Sequence, residues 1–349
     1  MAKHRTRRKA SRKKEVIGWL LTLASLLLVC GCLCVTFLGG RHGIPGWQQL
    51  GQWLRPAANL TPAPTPVPTP VPTPVPAPTG QPTPTRTPLP TPAAGETQVH
   101  FIDVGQGDAM LIVNGGQYAL IDAGTEECEE ELLGYLEWLG VPRLTLLVMT
   151  HPHADHIGSM DAVLDRLPVD TLLLPDLDKA AQYPDSTCFE NVLEAAERSD
   201  CRTVTAEPGD RYRVGEGTLT VLSTGIETDN YNNISLCTRY AAQGFACVNT
   251  GDAELPVEDA LRKSWRQLSA DLFKAAHHGS GTSNSLAFLE LIDPEVVVVS
   301  CGEDNSYGHP HDQPMENYLA VEADVWRTDE QGSVVVVYTA AGLQVYPER

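Results

Sequence analysis

The chain carries 44 acidic and 25 basic side chains in 349 residues, and its formal charge of −19 is unevenly divided: residues 96–349 hold 43 of the acids and only 14 of the bases, −29 in all. So acidic a stretch lacks the basic surface with which proteins neutralise a long phosphate backbone, which weighs against a processive nuclease on duplex DNA and leaves short phosphoesters and other small anions open. Nine cysteines without a C-x-x-C spacing exclude a zinc ribbon and a dithiol redox motif.

In chain order, residues 1–15 form a basic tail with eight Lys or Arg before Glu15, and residues 16–38 are 23 predominantly apolar positions, enough to cross a bilayer as a helix at about 1.5 Å per residue. The basic flank predicts an amino end in the cytoplasm and everything after Leu38 outside the cell. A cleaved signal peptide is the rival reading, although its apolar region should be shorter. Val29-Cys30-Gly31-Cys32 faintly resembles a lipoprotein cleavage site. Residues 39–60 read as a juxtamembrane segment with Trp47 and Trp53 at headgroup level. Residues 61–95 have proline at nearly every second position for most of their length, which removes amide donors and fixes φ, so they predict a polyproline stalk reaching on the order of 100 Å rather than a packed core.

Residues 96–349 suffice for one large α/β domain. Apolar runs separated by Gly-rich turns predict an antiparallel meander of strands at Val99 to Val104, Ala109 to Val113 and Gln117 to Ala123. A helix from Glu126 to Leu139, a strand from Leu144 to Met149, a helix from Ile157 to Leu167 and a strand from Thr171 to Leu174 follow. The second half alternates loosely in the same way. Its strands are predicted at Leu219 to Ser223, Ser235 to Tyr240, Phe245 to Asn249, Leu272 to Ala276 and Val296 to Ser300, with helices near Leu255 to Leu268 and Ser285 to Leu291. Cys237 and Cys247 fall on consecutive strands, where a disulfide competes with the commoner fate of a buried thiol.

The densest chemistry lies in Thr150 to Met160, THPHADHIGSM, just beyond the strand LTLLVM. A strand ending at Thr150 delivers His151, His153, Asp155 and His156 to the loop past its carboxyl end, where open α/β sheets bind ligands. Imidazoles with a carboxylate between them suit Zn²⁺ and similar ions, and the alternation of side chains lets His151 and His153 serve one ion while Asp155 and His156 serve a second. A His-rich surface loop, or a helix start capped by Asp155, is the bland alternative. Asp252 in Thr250-Gly251-Asp252 and the pair His277-His278 end two further strands, although Gly-Asp alone is also ordinary turn composition.

The motif H-x-H-x-D-H after an apolar strand resembles the metal-binding signature of metallo-β-lactamase-fold hydrolases. The stretches FIDVGQGDA (Phe101 to Ala109), NTGDAE (Asn249 to Glu254), AHHGS (Ala276 to Ser280) and SYGHPH (Ser306 to His311) are similar, in the same order, to the hydrolase domain of the competence protein ComEC. The resemblance covers about residues 97–349; it departs at His153, where that branch often carries Asp, which puts the metal preference in doubt. It implies a four-layer αββα sandwich and two divalent ions, Zn²⁺ or Mn²⁺, held by His151, His153, Asp155, His156, Asp252 and His277, with Asp252 bridging. Asp155, His278 and His309 are then the residues expected nearest the reaction. Asp103, Gln106, Asp108 and Asp122 are expected to organise the floor of the site and orient its histidines. Many enzymes of this fold carry a further histidine between the signature loop and the bridging aspartate, but none occurs here from Ile157 through Ala276. Asn232 and Asn233 stand where it would be sought; either the first metal keeps an open, water-filled coordination position, or His309 or His311 swings in from the late loop. The activity implied is that of a membrane-anchored, extracellular phosphodiesterase or nuclease on a small or short anionic substrate; a non-catalytic binding module on the same fold, or a β-lactam or other ester or amide hydrolase, are the alternatives.

Overall fold

The computed structural model describes residues 95–265 and 267–349, so the expectations for the tail, the membrane span, the juxtamembrane segment and nearly all of the stalk lie outside the described residues. Among the described residues no helix is long and apolar enough to cross a membrane. The domain opens with the expected meander, β1 (Thr97–Phe101), β2 (Met110–Asn114) and β3 (Gln117–Ile121), paired antiparallel in order. Strands β4 (Leu146–Val148), β5 (Thr171–Leu174) and β6 (Arg202–Thr205) then add in parallel, each after a helical crossover. A second sheet is built from β7 (Arg211–Val214), β8 (Gly217–Thr224), β9 (Leu236–Ala242), β10 (Phe245–Asn249), β11 (Leu272–Lys274), β12 (Val296–Val299) and β13 (Asp324–Arg327), parallel from β10 to β13. The chain returns to the first sheet with β14 (Val334–Thr339), which pairs with β1, and β15 (Gly342–Pro347). The strand orders are β15-β14-β1-β2-β3-β4-β5-β6 and β13-β12-β11-β10-β9-β8-β7.

Alternation along each strand divides the core into three layers of side chains, and thereby makes a four-layer sandwich. Val99, Phe101, Ile112, Ile121 and Val148 meet Leu219, Phe245, Leu272 and Val298 between the sheets. The opposite face of the first sheet, with Leu111, Leu120 and Leu147, packs on Leu132 and Leu136 of α1 (Glu129–Trp138) and Val163, Phe189 and Val192 from later helices. The second sheet turns Phe273, Val297 and Val299 outward against another set of helices. Central strands are therefore buried on both faces, which is why they read as unbroken apolar runs such as VVVV at Val296–Val299. Burying each such side chain contributes about 1.5–3 kcal/mol.

The expected helix near 157–167 is two pieces, α2 (Ala154–Ile157) and α3 (Met160–Arg166). Gly158 between them lies so close to the backbone of Thr125 and Glu126 that a Cβ would overlap it, and its N–H donates to Gly124 O at 2.8 Å. Docking of the signature loop on residues 124–126 thus decides where the helix breaks. Beyond the elements expected, the chain forms α4 (Thr187–Ser199), capped by Ser186 Oγ accepting from Phe189 N at 3.4 Å and stopped by left-handed Asp200. The outer helices of the second sheet are α5 (Leu255–Ser264), α6 (Leu286–Ile292) and α7 (Asp312–Ala320), and the short α8 (Thr328–Gln331) precedes β14. Cys237 and Cys247 are both free and buried. Cys237 belongs to the outer core and Cys247 to the core between the sheets, so they lie on opposite faces of one sheet and do not pair.

Candidate metal centre

The loops after β3, β4, β10 and β11 converge at the carboxyl ends of these strands, the rim where open α/β sheets hold ligands. His151 follows β4, His153 is the residue before α2, and Asp155 and His156 sit inside α2; Asp252 follows β10. His277 and His278 form a tight turn after β11, both in the left-handed region at φ 51° and 54°. Two consecutive non-glycine residues in that conformation are costly and persist only when the surroundings impose them. Here Asn284 does so: its Oδ1 accepts from Ala276 N at 2.8 Å, and its Nδ2 donates to Ala276 O at 2.9 Å and to Ser280 O at 3.2 Å. Glu258, buried in α5, accepts from the N–H groups of Asn284 and Ser285 in turn.

The side chains gather around Asp252. His156 Nδ1 lies 2.8 Å from Asp122 Oδ2, and its Nε2 lies 3.2 Å from Asp252 Oδ1. Asp122 is itself held by Thr150 N at 2.8 Å and Thr150 Oγ1 at 2.7 Å, so it fixes the ring and makes Nδ1 the donor, leaving Nε2 turned toward Asp252. His278 is held in the same manner, Nδ1 donating to Ser300 O at 3.0 Å, with Nε2 at 3.2 Å from Asp155 Oδ2 and 3.6 Å from Asp252 Oδ2. His151 Nε2 stands 2.9 Å from His153 Nδ1 and 3.8 Å from Asp252 Oδ2. His277 Nε2 is 3.7 Å from the same oxygen, and its Nδ1 is 3.1 Å from Thr282 Oγ1.

The donor set fits a divalent cation. Asp108, His156, Asp252 and His278 each offer a ligand atom, all within 4.8 Å of one another. Asp108 Oδ1, His156 Nε2, Asp252 Oδ1 and His278 Nε2 are buried without a hydrogen-bond partner, and orphans of this kind cost about 1–3 kcal/mol each unless something satisfies them. The titration behaviour points the same way. Burial opposes charge on His156, yet the carboxylates of Asp252, Asp122 and Asp155 outweigh it and hold the imidazole well above its ordinary value. Against the same opposition from burial, Asp252 and Asp108 push His278 up to about 10. Burial would raise Asp252, but His156 and His278 hold it well below the usual carboxylate range. Protons on His156 and His278 thus supply positive charge that these carboxylates demand and that a cation bound by neutral imidazoles would supply instead.

His151, His153, Asp155, His156, Asp252, His277 and His278 come together here with Asp108 and Asp122, whereas Asp103 lies apart, its Oδ1 accepting from Gly105 N at 3.2 Å and its Oδ2 3.9 Å from Arg349 Nη2. The four-atom cluster contains His278, whereas His277 sits on the His153 side, 3.4 Å from Asn232 Nδ2. At the place of the missing imidazole, Asn232 lines the cavity above the centre, as does His309 from the late loop. Asn233 is turned away to Glu254, and His311 accepts from Gly281 N at 2.9 Å. That cavity has a volume of about 320 Å³. Burial and the charges of His278 and His277 lower His309 to about 4. Gly107 belongs to the floor: a Cβ there would come within 2.6 Å of Asp155 O, and Asp108 N donates to that oxygen at 3.0 Å. Not anticipated were Asn284, Glu258 and Lys274. Lys274, 1% exposed at the end of β11, forms an ion pair with Asp108, and the only sequence signal was a lysine closing a buried run. A larger depression of about 610 Å³ at the β9–β10 hairpin contains none of these histidines.

The sequence pattern described as the metallo-beta-lactamase superfamily matches residues 102–303, more than half of the chain. The chain belongs to the metallo-β-lactamase superfamily. Within the superfamily it is ComEC-like. It is 28% identical over 273 residues to ComE operon protein 3 of Bacillus subtilis (strain 168), covering 72% of this chain and 34% of that protein. Competence protein ComA of Neisseria gonorrhoeae is 29% identical over 245 residues, covering 68% of this chain and 32% of that one. The chain therefore spans about a third of the length of the curated relatives it matches. Among solved structures, the metallo-beta-lactamase fold protein YhfI from Bacillus subtilis aligns over 66% of this chain and 96% of its own at 13% identity, with a TM-score of 0.46. That likeness is too distant to add to the argument. As a member of the superfamily, the chain has the αββα fold of metal-dependent hydrolases, with a candidate site for divalent metal at its expected rim.

Proposed function

We propose that the chain is a metal-dependent phosphodiesterase acting on short anionic substrates, and that residues 16–38 anchor it in the cell membrane with the hydrolase domain outside. The observation that carries the reading is the set of orphaned, buried His and Asp atoms around Asp252, open on one side to a cavity large enough for a small ligand. His151 and His153, with His277 beside them, would hold one divalent cation; Asp155, His156 and His278 would hold another; Asp252 lies between the two groups. Zn²⁺ and Mn²⁺ both suit nitrogen and carboxylate donors. When bound, such ions supply Lewis acidity and water that ionises near neutral pH. The protein's own part is orientation: Asp122 and Ser300 O fix the tautomers of His156 and His278, and Asp108 with Lys274 closes the floor. His309, whose Nδ1 has no partner, lines the cavity where it can hydrogen-bond a substrate oxygen.

Phosphodiester chemistry is favoured by similarity to competence proteins, and short substrates by the charge of −29 in residues 96–349. The test is turnover by the full chain with Zn²⁺ or Mn²⁺ of a bis-aryl phosphodiester, single-stranded and duplex DNA, and a chromogenic β-lactam, each with and without chelator. Chelator-sensitive phosphodiester turnover that disappears in Asp252→Asn supports the proposal. Turnover of the lactam alone, or protein that binds no metal, rejects it.

A further inference from the structure

The single turn Tyr231–Ile234, capped by Asn230, stands beside the centre and is gripped by one carboxylate. Glu254, two residues past Asp252 in the loop between β10 and α5, accepts through Oε2 from Asn230 Nδ2 and from Asn233 Nδ2, each at 3.0 Å. Its own N–H donates to Asn233 Oδ1 at 3.1 Å. Asn230 Oδ1 in turn accepts from Asn232 N at 3.0 Å. Asn232 is therefore flanked on both sides by residues that Glu254 holds.

Asn232 is what this grip presents to the centre. It is 7% exposed, its Nδ2 lies 3.4 Å from His277 Nε2, and its Oδ1 is buried without a hydrogen-bond partner. Tyr231 next to it lies edge-on to His153, with centroids 5.7 Å apart. An amide N–H only donates, so His277 Nε2 carries the lone pair and Nδ1 the proton, given to Thr282 Oγ1 at 3.1 Å. A cation on Nε2 would take that lone pair. A half-turn of the amide about χ2 exchanges two groups of nearly equal size and would bring Oδ1 to the place of Nδ2. Two donors each about 2.0–2.1 Å from a tetrahedral ion are about 3.3–3.4 Å apart, which matches the 3.4 Å between these atoms.

We infer that Glu254 is a positioning residue for this half of the centre: by holding Asn230 and Asn233 it fixes Asn232 beside His277, where the amide oxygen joins His151, His153 and His277 as a donor. It thereby fills the place of the imidazole that is missing between Ile157 and Ala276. The inference rests on the two-cation reading above and not on phosphodiester chemistry. The rival route is direct action on His277. Glu254 Oε1 lies 3.9 Å from His277 Nδ1, and Leu255 N donates to Thr282 O at 3.0 Å, so the same loop also touches the histidine and its partner. The two routes differ in whether the effect of Glu254 passes through Asn232.

The test titrates the full chain with Co²⁺, whose visible absorption reports each bound equivalent and its donors, in the parent, Asn232→Ala, Glu254→Ala, Glu254→Gln and the double variant Asn232→Ala with Glu254→Ala. Each single alanine variant should weaken one of the two equivalents by about 10- to 100-fold and change its absorption band, while the other equivalent stays as in the parent and shows that the fold is kept. Glu254→Gln, whose amide oxygen can accept from both asparagines, should restore the parental titration. In the Asn232→Ala background, Glu254→Ala should add nothing. Unchanged affinities in Asn232→Ala overturn the inference, as does a Glu254→Ala loss that persists in full in that background and so passes through His277. Loss of both equivalents in Glu254→Ala also overturns it, by making Glu254 a residue of the fold at large. A parent that binds one equivalent or none overturns it together with the two-cation reading. The expected titrations without any phosphodiester turnover leave the inference standing and reject only the activity.

Discussion

Replacing Lys274 by methionine removes the positive charge paired directly with Asp108 inside the protein. Both side chains are essentially buried, at 1% and 3% exposure, and they form a direct ion pair. The charges of His278 and His156 also favour the Asp108 carboxylate, but from farther away than Lys274. Its Oδ1 lacks a hydrogen bond, and the nearest nitrogens beyond Lys274 are His278 Nδ1 at 3.6 Å and His156 Nδ1 at 3.7 Å, both already engaged elsewhere. Breaking a buried pair from one side leaves an uncompensated charge and costs about 3–5 kcal/mol, a large share of the stability of an ordinary domain. The loss should shrink when the carboxylate is removed as well. Lys274→Met with Asp108→Asn is expected to be more stable than Lys274→Met alone, giving a coupling of at least about 1 kcal/mol in the double-mutant cycle. Since Asp108 belongs to the four-residue cluster, saturating Zn²⁺ or Mn²⁺ should restore part of the loss in the single variant. The assay is urea unfolding of the four proteins in chelator, repeated with metal. Additive effects of the two substitutions would refute the argument that Lys274 is there to balance Asp108.

The orientation of His156 predicts that Asp122→Asn lowers affinity for Zn²⁺ by about 10- to 100-fold while the fold persists, because the amide no longer enforces the Nδ1–H tautomer; competition with a chromogenic chelator reads this directly, and unchanged affinity would remove Asp122 from the site. His100 offers a test remote from the centre. Burial lowers it from 6.5 to about 3, and it is bonded to Tyr135 Oη at 2.9 Å and Gln98 Oε1 at 3.1 Å. Its folded value lies below the unfolded one, so it costs nothing above pH 6.5, and the penalty grows as pH falls toward 3 because only the unfolded chain takes up the proton. The penalty reaches about 2.7 kcal/mol at pH 4.5. The fall in unfolding free energy between pH 7 and 4.5, measured in chelator, should therefore be smaller by roughly that amount in His100→Gln; equal slopes would show that the ring titrates normally.

Much of this architecture is written locally. Apolar runs bounded by Gly-rich turns announce β1 to β5, because a strand buried on both faces needs an unbroken hydrophobic stretch, and the histidines of residues 151–156 announce a metal loop, because no ordinary surface segment concentrates imidazoles so densely. The strands that pair β14 with β1 and set β13 beside β12 were not anticipated; what places them is a partner more than a hundred residues away in one case, and a parallel neighbour across a helix in the other. Cys237 and Cys247 show the same limit, since adjacency in sequence suggested facing thiols and the pleat put them on opposite sides of the sheet. At the centre, residue types and spacing named the ligands, but the division of labour between His277 and His278 depends on two left-handed backbones that Asn284 and Glu258 impose from outside the motif. Lys274 is the clearest case: in sequence it is a lysine at the end of a strand, and only the approach of the β1–β2 loop across the interior turns it into the counter-charge of Asp108, because a buried charge acquires its meaning from the partner that tertiary structure brings to it.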